Sequence, residues 1–243
     1  MSLPTSSVKM YPLGDAAVVL QLGDEIAVET HGQVKAVVRF LNQHSFPGLV
    51  EYVPAFTTVT LYYDPWLVSE RGQVDPYAAV EENIRLMLAQ LETDSAPEEP
   101  SIKEIPVVYG GEYGPDLAFV AEHCGLLPQE VIARHSQADY LVYMIGFAPG
   151  FPYLGGMDPK IAAPRKQVPR NVIPTSSVGI AGLQTGVYPL ETPGGWQLIG
   201  RTPLSLFDPD RESPSLLQMG DVVRFVPISE AEFQAMKPDA DGD

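Results

Sequence analysis

Between Tyr140 and Pro203 the chain carries GFAPGFPYLGG (146–156), PRKQVPR (164–170), SVGIAGLQTGVYP (177–189) and ETPGGWQLIGRTPL (191–204). So much glycine and proline would read as a linker if the intervening residues were polar. Here they alternate with Phe, Tyr, Trp, Ile and Val, which a solvated linker does not carry. Glycine admits positive φ and close backbone approach, and proline fixes φ while removing a donor, so together they freeze irregular loops at little entropic cost. The stretch is therefore expected to be a folded, loop-built surface, the kind of place where binding sites form.

At 243 residues the chain has room for one large core or two modest ones, and 45% hydrophobic with 19% charged residues is the balance of a globular protein. No apolar run approaches the roughly 18 to 20 residues of a membrane helix. The opening MSLPTSSVKM lacks a signal peptide's hydrophobic stretch, so the expected location is the cytoplasm. Cys124 is the single cysteine, which excludes an intrachain disulfide and any multi-cysteine metal site. A net charge of −16 argues against a nucleic-acid partner. The acid is uneven: residues 159–190 hold Lys160, Arg165, Lys166 and Arg170 and no acidic residue at all. That segment either balances charge locally or receives a small anion.

Periodicity divides the chain. Residues 16–22, 49–53, 57–63 and 103–108 read as strands, and 25–44 and 74–91 as amphipathic helices with apolar stripes such as Val34, Val37, Leu41 and Val80, Ile84, Leu88. That order predicts a ferredoxin-like βαββαβ α+β domain over 1–92. TDSAPEEPS (93–101) is short, acidic and proline-interrupted, the composition of a linker between domains. Gly114-Pro115-Asp116 opens a helix through Cys124, and Pro128 opens another through His135. From Tyr140 onward short apolar runs at 141–145, 178–181, 196–199, 204–207 and 222–226 predict a mainly-β, closed or nearly closed barrel over 102–243.

Phosphate-loop, dinucleotide, zinc-protease and nucleophile-elbow signatures are absent, and the four histidines lack ligand spacing, so no metal site is predicted. His135 leads into the 140–145 strand and is a candidate acid/base, against the plain alternative of a helix C-terminal cation. Arg165, Arg170 and Arg201 offer guanidinium forks suited to carboxylate or phosphate. Gln184 and Thr185 lie in a glycine-flanked turn where an amide or hydroxyl can meet an amide substrate. Tyr153 and Tyr188 carry hydroxyls beside turn glycines, Gly194 and Gly195 present backbone N–H groups or form a hairpin turn, and Gly146, Phe147, Pro149 and Gly150 complete the candidate binding loop. Of these candidates, His135, Arg165, Arg170 and Gln184 are assigned to catalysis and the others to substrate or nucleotide binding.

These motifs, with GDAAVVLQLGD (14–24), YVPAFTTVTLYYDP (52–65), IPVVYGGEYGPDL (105–117) and GDVVRFVPIS (220–229), resemble the allophanate hydrolase subunit 1 family, which also goes by the name of the B component of the bacterial 5-oxoprolinase. The family includes KipI, an inhibitor of a sporulation histidine kinase. The resemblance implies a cyclophilin-like barrel and one component of an ATP-dependent enzyme opening 5-oxo-L-proline to L-glutamate, inactive alone. It implies two partners, a C component of the allophanate hydrolase subunit 2 family and an A component, with ATP and Mg2+ shared with a partner. The alternative it leaves open is a regulator whose partner is a histidine kinase. Where the family pattern leads us to expect Ala-Gly, this chain has Thr175-Ser176.

Overall fold

The computed structural model describes residues 8–91 and 100–236. Two compact units emerge, Met1–Glu99 and Pro100–Asp243. The linker predicted at 93–101 lies, except for its last two residues, outside the described residues.

In the first unit β1 (Lys9–Pro12), β2 (Ala17–Gln21), β3 (Leu49–Pro54) and β4 (Thr58–Tyr63) form an antiparallel sheet in the order β1-β2-β4-β3. β4 alternates in burial, with Val59, Leu61 and Tyr63 inward, as a half-buried strand does. α1 (Val28–Gln43) buries His31, Val34, Val37 and Leu41 along one stripe and packs on β4. After a short α2 (Pro65–Val68), α3 (Pro76–Leu91) buries Val80, Ile84, Met87, Leu88 and Leu91. The predicted βαββαβ order needs correction. The fourth strand of this sheet is the N-terminal β1, and the strand predicted at 103–108 belongs to the other unit. β1 is four residues long, largely exposed and ends in proline, so it carries almost no periodic signal.

The second unit opens with β5 (Ile102–Tyr109), α4 (Leu117–Cys124) and α5 (Pro128–Ser136). Strands β6 (Tyr140–Ile145), β7 (Pro152–Gly155), β8 (Arg170–Ile173), β9 (Ser177–Ala181), β10 (Gln184–Val187), β11 (Thr192–Gly194), β12 (Gln197–Arg201) and β13 (Val222–Pro227) follow, with α6 (Glu230–Met236) last. Seven strands make one sheet in the order β10-β9-β12-β5-β13-β6-β7, and its edge strands β10 and β7 meet, so the sheet curls into a nearly closed barrel. β8 and β11 form a separate ribbon. Ile105, Val107, Val131, Tyr140, Val178, Ile180, Ile199 and Phe225 fill the interior. The strand predicted at 204–207 is absent: Leu206 is buried there, but only Phe207 makes a bridge, to Ser215. α6 has no counterpart among the predicted elements.

The 110–116 loop is pressed onto β12. Gly114 lies so close that an added Cβ would sit 2.0 Å from the Ile199 carbonyl oxygen, a space only glycine fits. Asp116 N–H then donates to Leu198 O at 2.9 Å, fixing the Asp116 side chain against the strand.

Thr175-Ser176 has a local explanation. Ser176 adopts φ 63°, the left-handed conformation that glycine takes without cost. Its hydroxyl donates to Leu204 O at 2.8 Å, and that of Thr175 donates to Pro189 O at 2.8 Å. Relief of backbone strain, about 1 kcal/mol, and loss of one hydrogen bond, also about 1 kcal/mol, should nearly cancel in Ser176→Gly. A thermal melt should place that variant within about 1 kcal/mol of the parent.

Candidate functional site

A cavity of ≈ 350 Å³ opens in the second unit, walled by Tyr153 of β7, Gln184 of β10, residues of β11 and the neighbouring loops. The seam where the barrel nearly closes thus contributes to its wall. The size suits a small ligand. Phe151 is the centre of its aromatic wall: its ring meets Tyr153 at 5.4 Å, Tyr188 at 5.8 Å and Trp196 at 5.9 Å, each close to perpendicular. Such edge-to-face contacts hold the rings in one arrangement. Gly186 leaves room for that wall, since a Cβ there would approach both Phe151 and Trp196 to 3.2 Å.

Charge enters on the 164–170 loop, which is fastened at several points. Gln197 Nε2 donates to Pro164 O at 2.8 Å, and Lys166 N–H donates to Gly195 O at 2.7 Å. The buried Asp116 does the rest: its Oδ1 accepts from Lys166 Nζ at 3.1 Å and Arg170 Nη2 at 2.8 Å, while Oδ2 accepts Leu198 N–H at 2.7 Å. Burial pushes the Asp116 carboxyl up, but the hydrogen bonds from Arg170, Leu198 and Lys166 outweigh it and hold the group below the usual carboxylate range. Arg165, between two fastened residues, is exposed, lines the cavity and forms no ion pair or hydrogen bond among the described residues. Tyr188 lines the same space, and a Cβ added at Gly194 would sit 2.8 Å from its hydroxyl. Burial raises it to about 12, against the pull of Arg165, the Trp196 backbone N–H and Arg170, so it is a neutral donor at pH 7.

Of the candidates from sequence, Arg165, Gln184, Phe147, Tyr153, Tyr188, Gly194 and Gly195 come together on this cavity. The others lie elsewhere. Gly146 N–H donates to Phe151 O at 3.0 Å and so closes the β6–β7 loop, Pro149 is exposed on that loop, and Gly150 (φ 77°) packs against Leu206 and Phe207. Arg201 Nε donates to Thr175 O at 2.9 Å, tying loops together. Arg170 is committed to Asp116 rather than to the cavity.

His135 needs the largest revision. Its ring is fully buried, stacked on Phe225 at 4.5 Å, and does not line the cavity. Thr185 Oγ1 gives its proton to Gly179 O at 3.1 Å, so it accepts from His135 Nε2 at 2.8 Å, and Nδ1 in turn accepts from the Tyr109 hydroxyl at 2.7 Å. Burial lowers its pKa to about 3. A neutral ring with both nitrogens satisfied braces the core, and Thr185 is part of the same brace.

Sequence reasoning misses Pro169 and Pro193, which line the cavity, and above all Asp116. Local pattern marks Asp116 as a helix opener. Its side chain does not cap α4 and reaches the cationic loop instead. The signal that could have found it is the lack of any acidic residue in 159–190, which requires that a counter-ion come from elsewhere.

Fold and cavity together define a mixed α/β protein with a nearly closed β-barrel and an aromatic-walled cavity that carries one guanidinium. Residues 8–217 match the family described as carboxyltransferase domain, subdomain C and D. The chain is 50% identical over 231 residues to the B component of 5-oxoprolinase from Bacillus subtilis (strain 168), covering 94% of this chain and 96% of that protein. It belongs to the family of 5-oxoprolinase B components. Among solved structures, TTHA0988 superposes with a TM-score of 0.73 at 38% identity, over 88% of this chain and 40% of that longer one. The conserved uncharacterized protein PH0987 from Pyrococcus horikoshii gives 0.54 at 44% identity, over 93% of this chain and all (100%) of that one. No helix among the described residues is long and apolar enough to cross a membrane.

Proposed function

We propose that this chain is the lactam-binding component of an ATP-dependent 5-oxoprolinase, acting with the C and A components to convert 5-oxo-L-proline to L-glutamate in the cytoplasm. The observation that carries this reading is a guanidinium without an ion pair among the described residues, Arg165, sharing a small aromatic-walled cavity with a side-chain amide, Gln184. The Arg165 fork suits the substrate carboxylate. Gln184 offers one donor group and one acceptor, complementary to the N–H and C=O edge of a lactam. The neutral Tyr188 hydroxyl can donate to an oxygen on which charge develops, and the aromatic wall excludes water.

A whole Mg2+–ATP site does not fit these residues. The cavity lining contains no carboxylate to hold Mg2+ and a single guanidinium for three phosphates. We therefore assign ATP and Mg2+ to a site completed by a partner protein, and this chain alone to binding and orienting the lactam.

The test is reconstitution with the C and A components and an assay of ATP-dependent glutamate formation. Arg165→Ala should weaken substrate use by ~1.5 to 3 kcal/mol, about 10- to 150-fold, with stability within about 0.5 kcal/mol of the parent. Arg165→Lys should also be impaired, because it keeps the charge and loses the planar fork. Wild-type activity in both variants removes Arg165 from the site, and robust turnover by the purified chain alone overturns the assignment of roles.

A further inference from the structure

Phe147 is the one large aromatic residue of the cavity wall that the chain leaves in water: 75% of it is exposed, whereas Phe151, Tyr188 and Trp196 are buried. Its backbone is strained. φ is 65°, and Ala148 N–H donates to Gly146 O at 2.7 Å across it, the rare γ-turn with positive φ. The left-handed region costs an aromatic residue energy that glycine does not bear, and an exposed ring recovers little of it by burial. Its one ring contact among the described residues is edge-on to Phe151 at 5.6 Å. The turn is nevertheless held rigidly, since Gly146 N–H and Phe151 N–H close the loop on Phe151 O and Ala148 O at 3.0 Å each. Strain that folding does not use, kept in place at the mouth of a pocket, points to ligand contact.

We propose that Phe147 is the aromatic cover of the cavity: its ring packs on the methylene face of a small cyclic amide and sandwiches it against the Phe151 and Trp196 wall. This rests on the lactam reading above and assigns its specificity for a flat, apolar-faced ring to a residue separate from the carboxylate clamp Arg165. Glycine at 147 removes the strain and the cover together, so it should improve folding while impairing binding, a combination that no structural role produces.

The experiment uses the full chain carrying Trp66→Phe, so that Trp196, the only other tryptophan, reports the cavity by fluorescence. The probes are 5-oxo-L-proline and 2-pyrrolidone, the same ring without the carboxylate. Phe147→Gly should bind both about tenfold more weakly, with a melting temperature equal to or above the parent's. Phe147→Tyr should stay within about twofold of the parent, and Arg165→Ala should weaken 5-oxo-L-proline alone. Unchanged affinity in Phe147→Gly overturns the cover, as does a fall of more than about 5 °C in its melting temperature, which would make the ring a structural element. Failure of the parent to bind either probe overturns the lactam reading and the cover with it.

Discussion

His135→Ala is expected to destabilise the second unit by about 3 to 5 kcal/mol, the largest loss from any single polar side chain in the barrel. The change opens a cavity beside Phe225 and Tyr140 and leaves the Tyr109 hydroxyl, itself buried, without an acceptor. His135→Gln restores one donor and one acceptor and should recover part of the loss in a denaturant melt at pH 7. Acid provides an independent check. The folded-state pKa of about 3 lies below the unfolded value of 6.5, so the unfolded chain takes up the proton first. Stability is complete above about pH 6.5 and falls as pH drops toward 3, by about 5 kcal/mol in all. His31, lowered to about 4 by burial and then by Lys35, adds a parallel loss in the first unit. In His135→Gln the acid slope of the second unit should flatten by up to one proton, and an unchanged slope would mean that the ring is charged in the folded chain.

Asp116→Ala should cost about 3 kcal/mol, because it strands Lys166 and Arg170 beside each other without a counter-ion. The lower end of the usual range applies, since those two side chains keep 31% and 24% of their surface in water. Asp116→Asn retains an acceptor for Leu198 N–H and should cost less. In both variants that amide should exchange faster, and the loop carrying Arg165 should loosen, so that substrate use falls even where Arg165 is intact. The wild-type cluster should itself weaken only as pH drops through and below the usual carboxylate range, because its carboxyl is held low in the folded chain. A loss under about 1 kcal/mol for Ala would reduce the cluster to an ordinary surface ion pair.

Local pattern made α1, α3, β4 and the α5 proline start legible, because each is set by side-chain periodicity or cap chemistry within a few residues. The Gly/Pro-rich segment was legible as a folded, cavity-lining surface for a related reason: its aromatics and Arg165 sit in a stretch whose stiffness is written in composition. What escaped was pairing at a distance. Nothing near residues 102–109 says that their partners are β12 and β13 rather than β2 or β4, and nothing near Asp116 announces cations fifty residues later. His135 misled for the opposite reason. Its position before a site strand was visible, while the burial that neutralises it arises only when Phe225 and Thr185 close around it.

β5 and β13 lie side by side near the middle of the seven-stranded sheet, parallel, with Ile102 opposite Val222 and Val107 opposite Pro227. The strand that begins the unit thus waits for one about 120 residues further on, the penultimate element among the described residues. Loop closure over that distance must precede the contacts that reward it, which makes assembly of this barrel slow and late. During synthesis the edge of β5 that meets β13 stays unpaired until the chain has grown by about 120 further residues, and that interval is when this polypeptide is most exposed to misassociation.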